Sequence, residues 1–134
     1  MFLTLATPTK KILFEDKATD LFVPAEKGEL NILPGHAPLV STLTTGVLRY
    51  KLEGEEKLTN VAISWGFLEV AGDKISVLAE TAETEEEIDT TRAREAYKVS
   101  QERMNMAGLG ENELEKYRRK MQRAQARLDA KEVN

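Results

Sequence analysis

The sequence predicts an all-β N-terminal sandwich, a flattened barrel of short strands over residues 1–83, followed by an antiparallel two-helix C-terminal hairpin over 84–134. Three observations carry this. Every proline and most glycines fall before residue 84, between short runs rich in Leu, Val, Ile, Phe and Thr. After that point there is no proline, and glycine occurs only at Gly108 and Gly110. The apolar spacing then changes from two to three and four, the change expected between strand and helix.

Turn residues mark out the first half: Pro8, Pro24, Gly28, Pro34-Gly35, Pro38, Gly46, Gly54 and Gly72. The segments between them read as strands at Phe2–Thr7, Lys11–Glu15, Asp20–Pro24, Gly28–Leu33, Leu39–Leu43, Gly46–Leu52, Lys57–Ile63, Trp65–Val70 and Ile75–Glu80. Leu48, Tyr50 and Leu52 alternate with Val47, Arg49 and Lys51, so this strand should have one dry and one wet face. Glu53-Gly54-Glu55 and Gly72-Asp73 suit hairpin turns. Ile63, Trp65 and Phe67 share a strand face, which assigns the two aromatics to core or interface packing. A sandwich of this length buries a working core without much surplus.

In the second half, Thr84 followed by Glu85, Glu86 and Glu87 reads as a capping box, with three acids at the positive end of the helix dipole. A first helix is expected from there to about Ala107. Gly108-Leu109-Gly110 breaks it, and a second runs from about Glu111 to Ala130. Leu114, Tyr117, Met121, Ala124 and Leu128 form one narrow seam. The first helix offers Ile88, Ala93, Ala96, Tyr97, Ser100 and Met104 in return. Several of these are small, so the hairpin should be marginal on its own.

Charge and composition narrow the function. The chain has 134 residues, 19 Lys+Arg and 23 Asp+Glu, and a net charge of −4. This mild acidity argues against a protein whose whole surface binds nucleic acid. Without cysteine there can be no disulfide, thiolate site or cysteine nucleophile, and with one histidine there can be no multi-histidine zinc site. No metal site is expected. The N-terminus lacks the basic start and apolar length of a signal peptide, and Val61–Ala71 is too short and polar for a membrane helix. A soluble protein is expected, one that meets a membrane only through a complex.

Residues 1–83 carry 8 bases and 12 acids, whereas residues 84–134 carry 11 of each. Lys116, Arg118, Arg119, Lys120, Arg123 and Arg127 fall within a stretch that holds no acid. That helix should attract an acidic partner or an anionic ligand, the alternative being an ordinary solvated face. There is no phosphate-cradling Gly-rich loop. His36 stands alone in a Pro-Gly-His-Ala-Pro turn, and no orienting carboxylate marks it as a general base.

Taken together, Phe22-Val-Pro-Ala-Glu-Lys-Gly-Glu-Leu-Asn-Ile-Leu-Pro-Gly-His-Ala-Pro-Leu-Val40, Thr45-Gly-Val-Leu-Arg49 and Ser64-Trp-Gly-Phe-Leu-Glu-Val70 resemble the landmarks of the epsilon subunit of F-type ATP synthases, called delta in mitochondria. The resemblance covers nearly the whole chain. It implies a ten-stranded sandwich and a helix hairpin in a non-catalytic rotor subunit that couples gamma to the c-ring in proton-driven ATP synthesis. Glu29, Pro34, Gly35, His36, Ala37 and Pro38 are the candidates it suggests for the gamma and c-ring interface. It also implies a hairpin that opens at Gly108 and Gly110, reaches along gamma toward the alpha and beta subunits, and restrains ATP hydrolysis through its six bases. Two helices of about twenty residues opened end to end reach on the order of 60 Å. The implied location is peripheral, on the cytoplasmic face of the bacterial inner membrane or the stromal side of a thylakoid.

Ile88-Asp89-Thr90-Thr91-Arg92-Ala93 is similar to the family's ATP-sensing pattern. By that resemblance no cofactor is required, but ATP is a regulatory ligand bridging the folded-back helices. Arg92, with Arg123 and Arg127 as candidates on the second helix, would contact phosphate. Asp89 would accept from the adenine amino group or the ribose, Ala93 would leave room, and Ile88 and Glu83 would complete the set. The alternative is a local Asp89–Arg92 ion pair worth about 0.2–0.5 kcal/mol. Two rivals are a nucleic-acid module using the basic helix and an enzyme using His36. The acidic sandwich and the scarcity of aromatics among the bases oppose the first. The second rests on one residue.

Overall fold

A computed structural model describes residues 1–132; the last two positions of the unit expected over 84–134 lie outside the described residues. Seven strands come first: β1 (Phe2–Thr7), β2 (Lys10–Ala25), β3 (Gly28–Ile32), β4 (Leu39–Leu43), β5 (Gly46–Leu52), β6 (Thr59–Ala71) and β7 (Lys74–Thr84). A 3-10 turn (Glu85–Glu87), α1 (Thr90–Met104) and α2 (Glu111–Glu132) complete the chain. The strands are fewer than the nine expected segments because two pairs of segments are continuous. Lys11–Glu15 and Asp20–Pro24 both lie in β2, and Trp65–Val70 joins the segment before it in β6.

These long strands serve both layers. The first part of β6 pairs antiparallel with β5 (Gly46↔Ile63, Leu48↔Val61), and its second part pairs with β4 (Leu43↔Gly66, Leu39↔Val70). The exchange of partners happens at Trp65, whose φ is +32°. A bulky residue rarely adopts that conformation, and here it makes the corner between layers. It also reverses the inside–outside parity. Val61 and Ile63 point inward before the corner, Leu68 and Val70 after it. Phe67 is therefore thrown outward, 60% exposed, instead of sharing the inner face with Ile63. Glu15, with φ +49°, makes a comparable irregularity in β2 where its pairing with β1 shifts register.

Leu3, Leu5, Leu21, Val23, Ile32, Leu48, Ile63, Leu68, Ile75 and Val77 fill the space between the layers. Each such side chain contributes about 1.5–3 kcal/mol when fully buried. Gly66 lets β6 and β7 approach closely: a Cβ there would sit 2.1 Å from the Leu78 carbonyl oxygen.

The helices depart from the expected pattern at the neck. The capping box at Thr84 forms, but on a single 3-10 turn. Ile88 is then extended, and α1 starts afresh with Asp89 as its cap. It stops at Met104, before the expected Ala107. The chain turns through Gly108, whose φ is +85°. The hairpin lies folded back on the sandwich. Its second helix has two buried sides, not the one seam expected. Ala124 is fully buried on one side, while Ala126 and Ala130 join Ala62, Ile88 and Val47 in a second apolar cluster. Val47 thus lies under α2 and not on a wet face.

Candidate functional site

The neck, α1 and α2 enclose a cleft of about 600 Å³. The end of β7 and the neck supply carboxylates from Glu83, Glu87 and Asp89, and α1 and α2 supply Arg92, Lys120, Arg123 and Arg127. Ala93 and Ala96 form an apolar floor, with Tyr117 and Ser100 beside it. Four bases against three carboxylates leave a cationic balance, unevenly spread.

Local geometry explains the spread. Arg127 donates from Nε and Nη2 to Glu83 Oε1 at 2.7 and 2.6 Å. Glu87 receives Lys10 Nζ at 2.6 and 2.7 Å, and the Thr84 hydroxyl at 2.9 Å. The Lys10 hydrogen bond, then that from the Thr84 backbone, hold the Glu87 carboxyl below its ordinary value. Asp89 Oδ1 accepts the Arg92 backbone N–H at 3.1 Å. It therefore acts on the helix start; the side-chain ion pair weighed as the alternative is not among the described contacts. Arg92, Lys120 and Arg123 line the cleft with no carboxylate within ion-pair distance among the described residues. The cleft thus offers those three bases to an anionic group, with Ala93 and Ala96 among its apolar lining.

Of the seven residues expected to gather here, the fold brings Glu83, Asp89, Arg92, Ala93, Arg123 and Arg127 to one cleft. Ile88 does not line it. It is 5% exposed, below α2, because it lies outside the helix whose face it was expected to share. Lys120 and Tyr117 line the cleft as well. Lys120 is three residues from Arg123 and Tyr117 three from Lys120, so each adjoins the next on the surface of α2, a signal present in the sequence. Ala96 and Ser100 share the helix face of Ala93 and were named only for packing, and Glu87 only as half of a capping box.

The remaining basic residues divide. Arg118 and Arg119 both reach Glu115, at 2.8 and 3.4 Å. Arg119 also lies 4.6 Å over the Trp65 ring, where a cation is attracted to the indole face. Lys116 is exposed beside Tyr117. The docking of α2 on the sandwich uses a contact that no motif announced: Asn60, 1% exposed, donates from Nδ2 to the Ala130 carbonyl oxygen at 3.1 Å. Pro34, Gly35, His36, Ala37 and Pro38 lie in the loop between β3 and β4, with Gly35 at φ +85°. His36 Nδ1 faces the Ala37 carbonyl oxygen at 2.8 Å. Glu29 is held by Arg49 Nη2 at 2.9 and 3.0 Å.

Residues 1–85 match the family described as "ATP synthase, Delta/Epsilon chain, beta-sandwich domain", and residues 86–132 match its "long alpha-helix domain". The chain belongs to the ATP synthase delta/epsilon family. An ATP synthase epsilon chain of Bdellovibrio bacteriovorus is 40% identical over 132 residues, 98% of this chain and 94% of that one. The epsilon chain of Koribacter versatilis is 45% identical over 104 residues, 78% of this chain and 71% of that one. Among solved structures, a chain of the Euglena gracilis mitochondrial ATP synthase matches with a TM-score of 0.85 at 24% identity, covering 97% of this chain and 79% of that one. A chain of the Tetrahymena thermophila central stalk and c-ring matches at 0.66 and 17% identity, covering 98% and 96%. At these identities the two structures establish that the delta/epsilon fold is shared.

Proposed function

We propose that the chain is the non-catalytic central-stalk subunit of an F-type ATP synthase, its sandwich joining gamma to the c-ring and its hairpin restraining ATP hydrolysis under the control of ATP. Family membership supports the first part, the cleft the second. It exists only while the hairpin is folded back, because its walls come from the neck, α1 and α2 together. A ligand that binds there stabilises that arrangement and no other, which is the differential affinity a switch requires.

Arg92, Lys120 and Arg123 take the phosphates. Glu83 and Asp89 accept from the base or ribose, each while keeping or exchanging a present partner: Glu83 holds Arg127, and Asp89 caps α1. ATP at 100 times its dissociation constant favours the folded-back state by about 2.7 kcal/mol, roughly a hundredfold in population. Once opened, the hairpin frees Arg127 from Glu83 and Arg119 from Trp65, and the basic helix can meet an acidic surface on the alpha and beta subunits. Attachment to the membrane comes through the complex. Among the described residues no helix is long and apolar enough to cross one.

The test is titration of the isolated subunit with ATP while Trp65 fluorescence reports the contact with α2. A saturable change lost in Arg123→Ala is expected, and no response up to millimolar ATP refutes the sensing role. A chain ending at Thr84 should still copurify with gamma and cease to restrain hydrolysis by the assembled motor. Full restraint by that truncated chain refutes the inhibitory role.

A further inference from the structure

Sequence and structure conflict most at the neck. Thr84 and Glu87 satisfy both halves of a capping box, and acids fill the turn that follows. Local preference therefore favours one helix from Glu85 into α1. The turn nevertheless stops after three residues, Ile88 takes φ −80° and ψ 121°, and the helix restarts at Asp89.

Besides the Glu85 carboxylate, which accepts the Asn60 backbone N–H of the sandwich at 3.3 Å, contacts on both sides of the break hold it open. On the inner side the Ile88 side chain is buried among Ala62, Val47, Ala126 and Ala130, and the last two belong to α2. On the outer side Lys10 Nζ, from the sandwich, grips both carboxylate oxygens of Glu87 and the Ala82 carbonyl oxygen, the latter at 3.0 Å. The cost is local: the Arg92 N–H bonds to the Asp89 side chain where a continuous helix would give it the Ile88 carbonyl.

We propose that Glu85–Asp89 is a two-state latch that senses whether α2 is docked. With α2 in place, Ile88 is pinned beneath it, Lys10 clamps Glu87, and the interrupted neck turns the hairpin back against the sandwich. When α2 lifts, Ile88 loses the Ala126 and Ala130 side of its pocket. The neck then joins α1 as one helix from Glu85. Four main-chain hydrogen bonds form, from the amides of Asp89, Thr90, Thr91 and Arg92 to the carbonyls of Glu85, Glu86, Glu87 and Ile88. The helix gains five residues, about 7 Å of length. Docking of the second helix and the direction of the first thus become one event. The latch rests on the reading that the hairpin opens.

The full chain has no cysteine, so Glu56→Cys with Gln122→Cys places one spin label on the sandwich and one on α2. Distances between them give the open fraction, and hydrogen exchange at Asp89–Arg92 gives the state of the neck. Lys10→Gln should raise the open fraction three- to tenfold, and Glu86→Gln, in the same turn but outside the clamp, should leave it unchanged. Ala126→Glu bars α2 from docking. There the label distance should lengthen, and the Asp89, Thr90 and Thr91 amides should exchange at least tenfold more slowly than in the native chain. If the distance lengthens while those amides stay as fast as in the native chain, the hairpin opens without the latch and the proposal is wrong. An open fraction in Lys10→Gln equal to that in Glu86→Gln also overturns it. If the distance in Ala126→Glu does not change while sheet circular dichroism is retained, the opening itself is wrong and the latch falls with it.

Discussion

Replacing Arg127 with alanine removes the ion pair that ties α2 to the end of β7. Two guanidinium nitrogens reach the same Glu83 oxygen at 2.6 and 2.7 Å, and the two side chains are 29% and 30% exposed. A charge-assisted hydrogen bond in a dry site contributes about 1.5–3 kcal/mol, whereas a fully solvated pair contributes about 0–1. Exposure near one third places this pair between them, at about 1–2 kcal/mol. The ratio of docked to undocked hairpin should then fall about 5- to 30-fold. Trp65 is the only tryptophan and lies against Arg119 of the same helix, so its emission serves as the readout, with label distances as a second probe. A double-mutant cycle with Glu83→Gln isolates the pair from the lost packing of the arginine stem. Because the pair is only partly solvated, raising the salt to 1 M should weaken the coupling without abolishing it. A coupling free energy below about 0.3 kcal/mol, the usual error of additivity, refutes the assignment of Glu83–Arg127 as a docking contact.

Other substitutions probe the remaining links. Gly66→Ala drives a Cβ to 2.1 Å from the Leu78 carbonyl oxygen and 2.9 Å from the Ala79 Cα, and since neither backbone atom can yield alone, urea unfolding should show a loss of about 3 kcal/mol. A midpoint equal to that of the native chain contradicts the close approach of β6 and β7. Asp89→Ala removes the cap of α1 and should cost about 1 kcal/mol, seen as faster exchange at Arg92, while Asp89→Asn should restore most of it. The Glu87 carboxyl is held below its ordinary 4.5 by Lys10, so the clamp is complete above that value and is lost as pH falls through the lowered one. Acid titration of the label distance should therefore show an opening step below about pH 4.5 that is missing in Glu87→Gln. An identical acid profile in that variant rejects the clamp.

Much of the architecture was legible along the chain because its causes are local. Turn residues divide the first half into strands, and the alternation through Leu48, Tyr50 and Leu52 names an inward face. Gly108 and Gly110 mark the bend between helices. The strand count was not legible, since a corner made by Trp65 at positive φ resembles a break in pattern. The expectation that Phe67 shares a face with Ile63 failed for the same reason: the corner reverses the parity on which alternation depends. Ala126 and Ala130 were missed because alanine is nearly silent in a hydropathy pattern. Its value at a helix–sheet contact is that it lets the backbones come close. Asn60 carries no sequence signal, as a buried amide is recognised only by the carbonyl it meets.

The candidate site divides along the same line. Composition and spacing by themselves determined that the second helix is basic, that the first helix offers mostly small residues to its partner, and that Asp89, Arg92 and Ala93 follow the capping sequence at the start of the helical half. Those are properties of neighbours in the chain. Only the tertiary structure decided that Glu83 would meet Arg127, that Lys10 would hold Glu87, and that Ile88 would leave the helix for a pocket. Each of those contacts joins residues brought together by closure of the whole fold, and at the neck the burial of Ile88 and the pairing of Glu87 with Lys10 outweigh one turn of continuous helix.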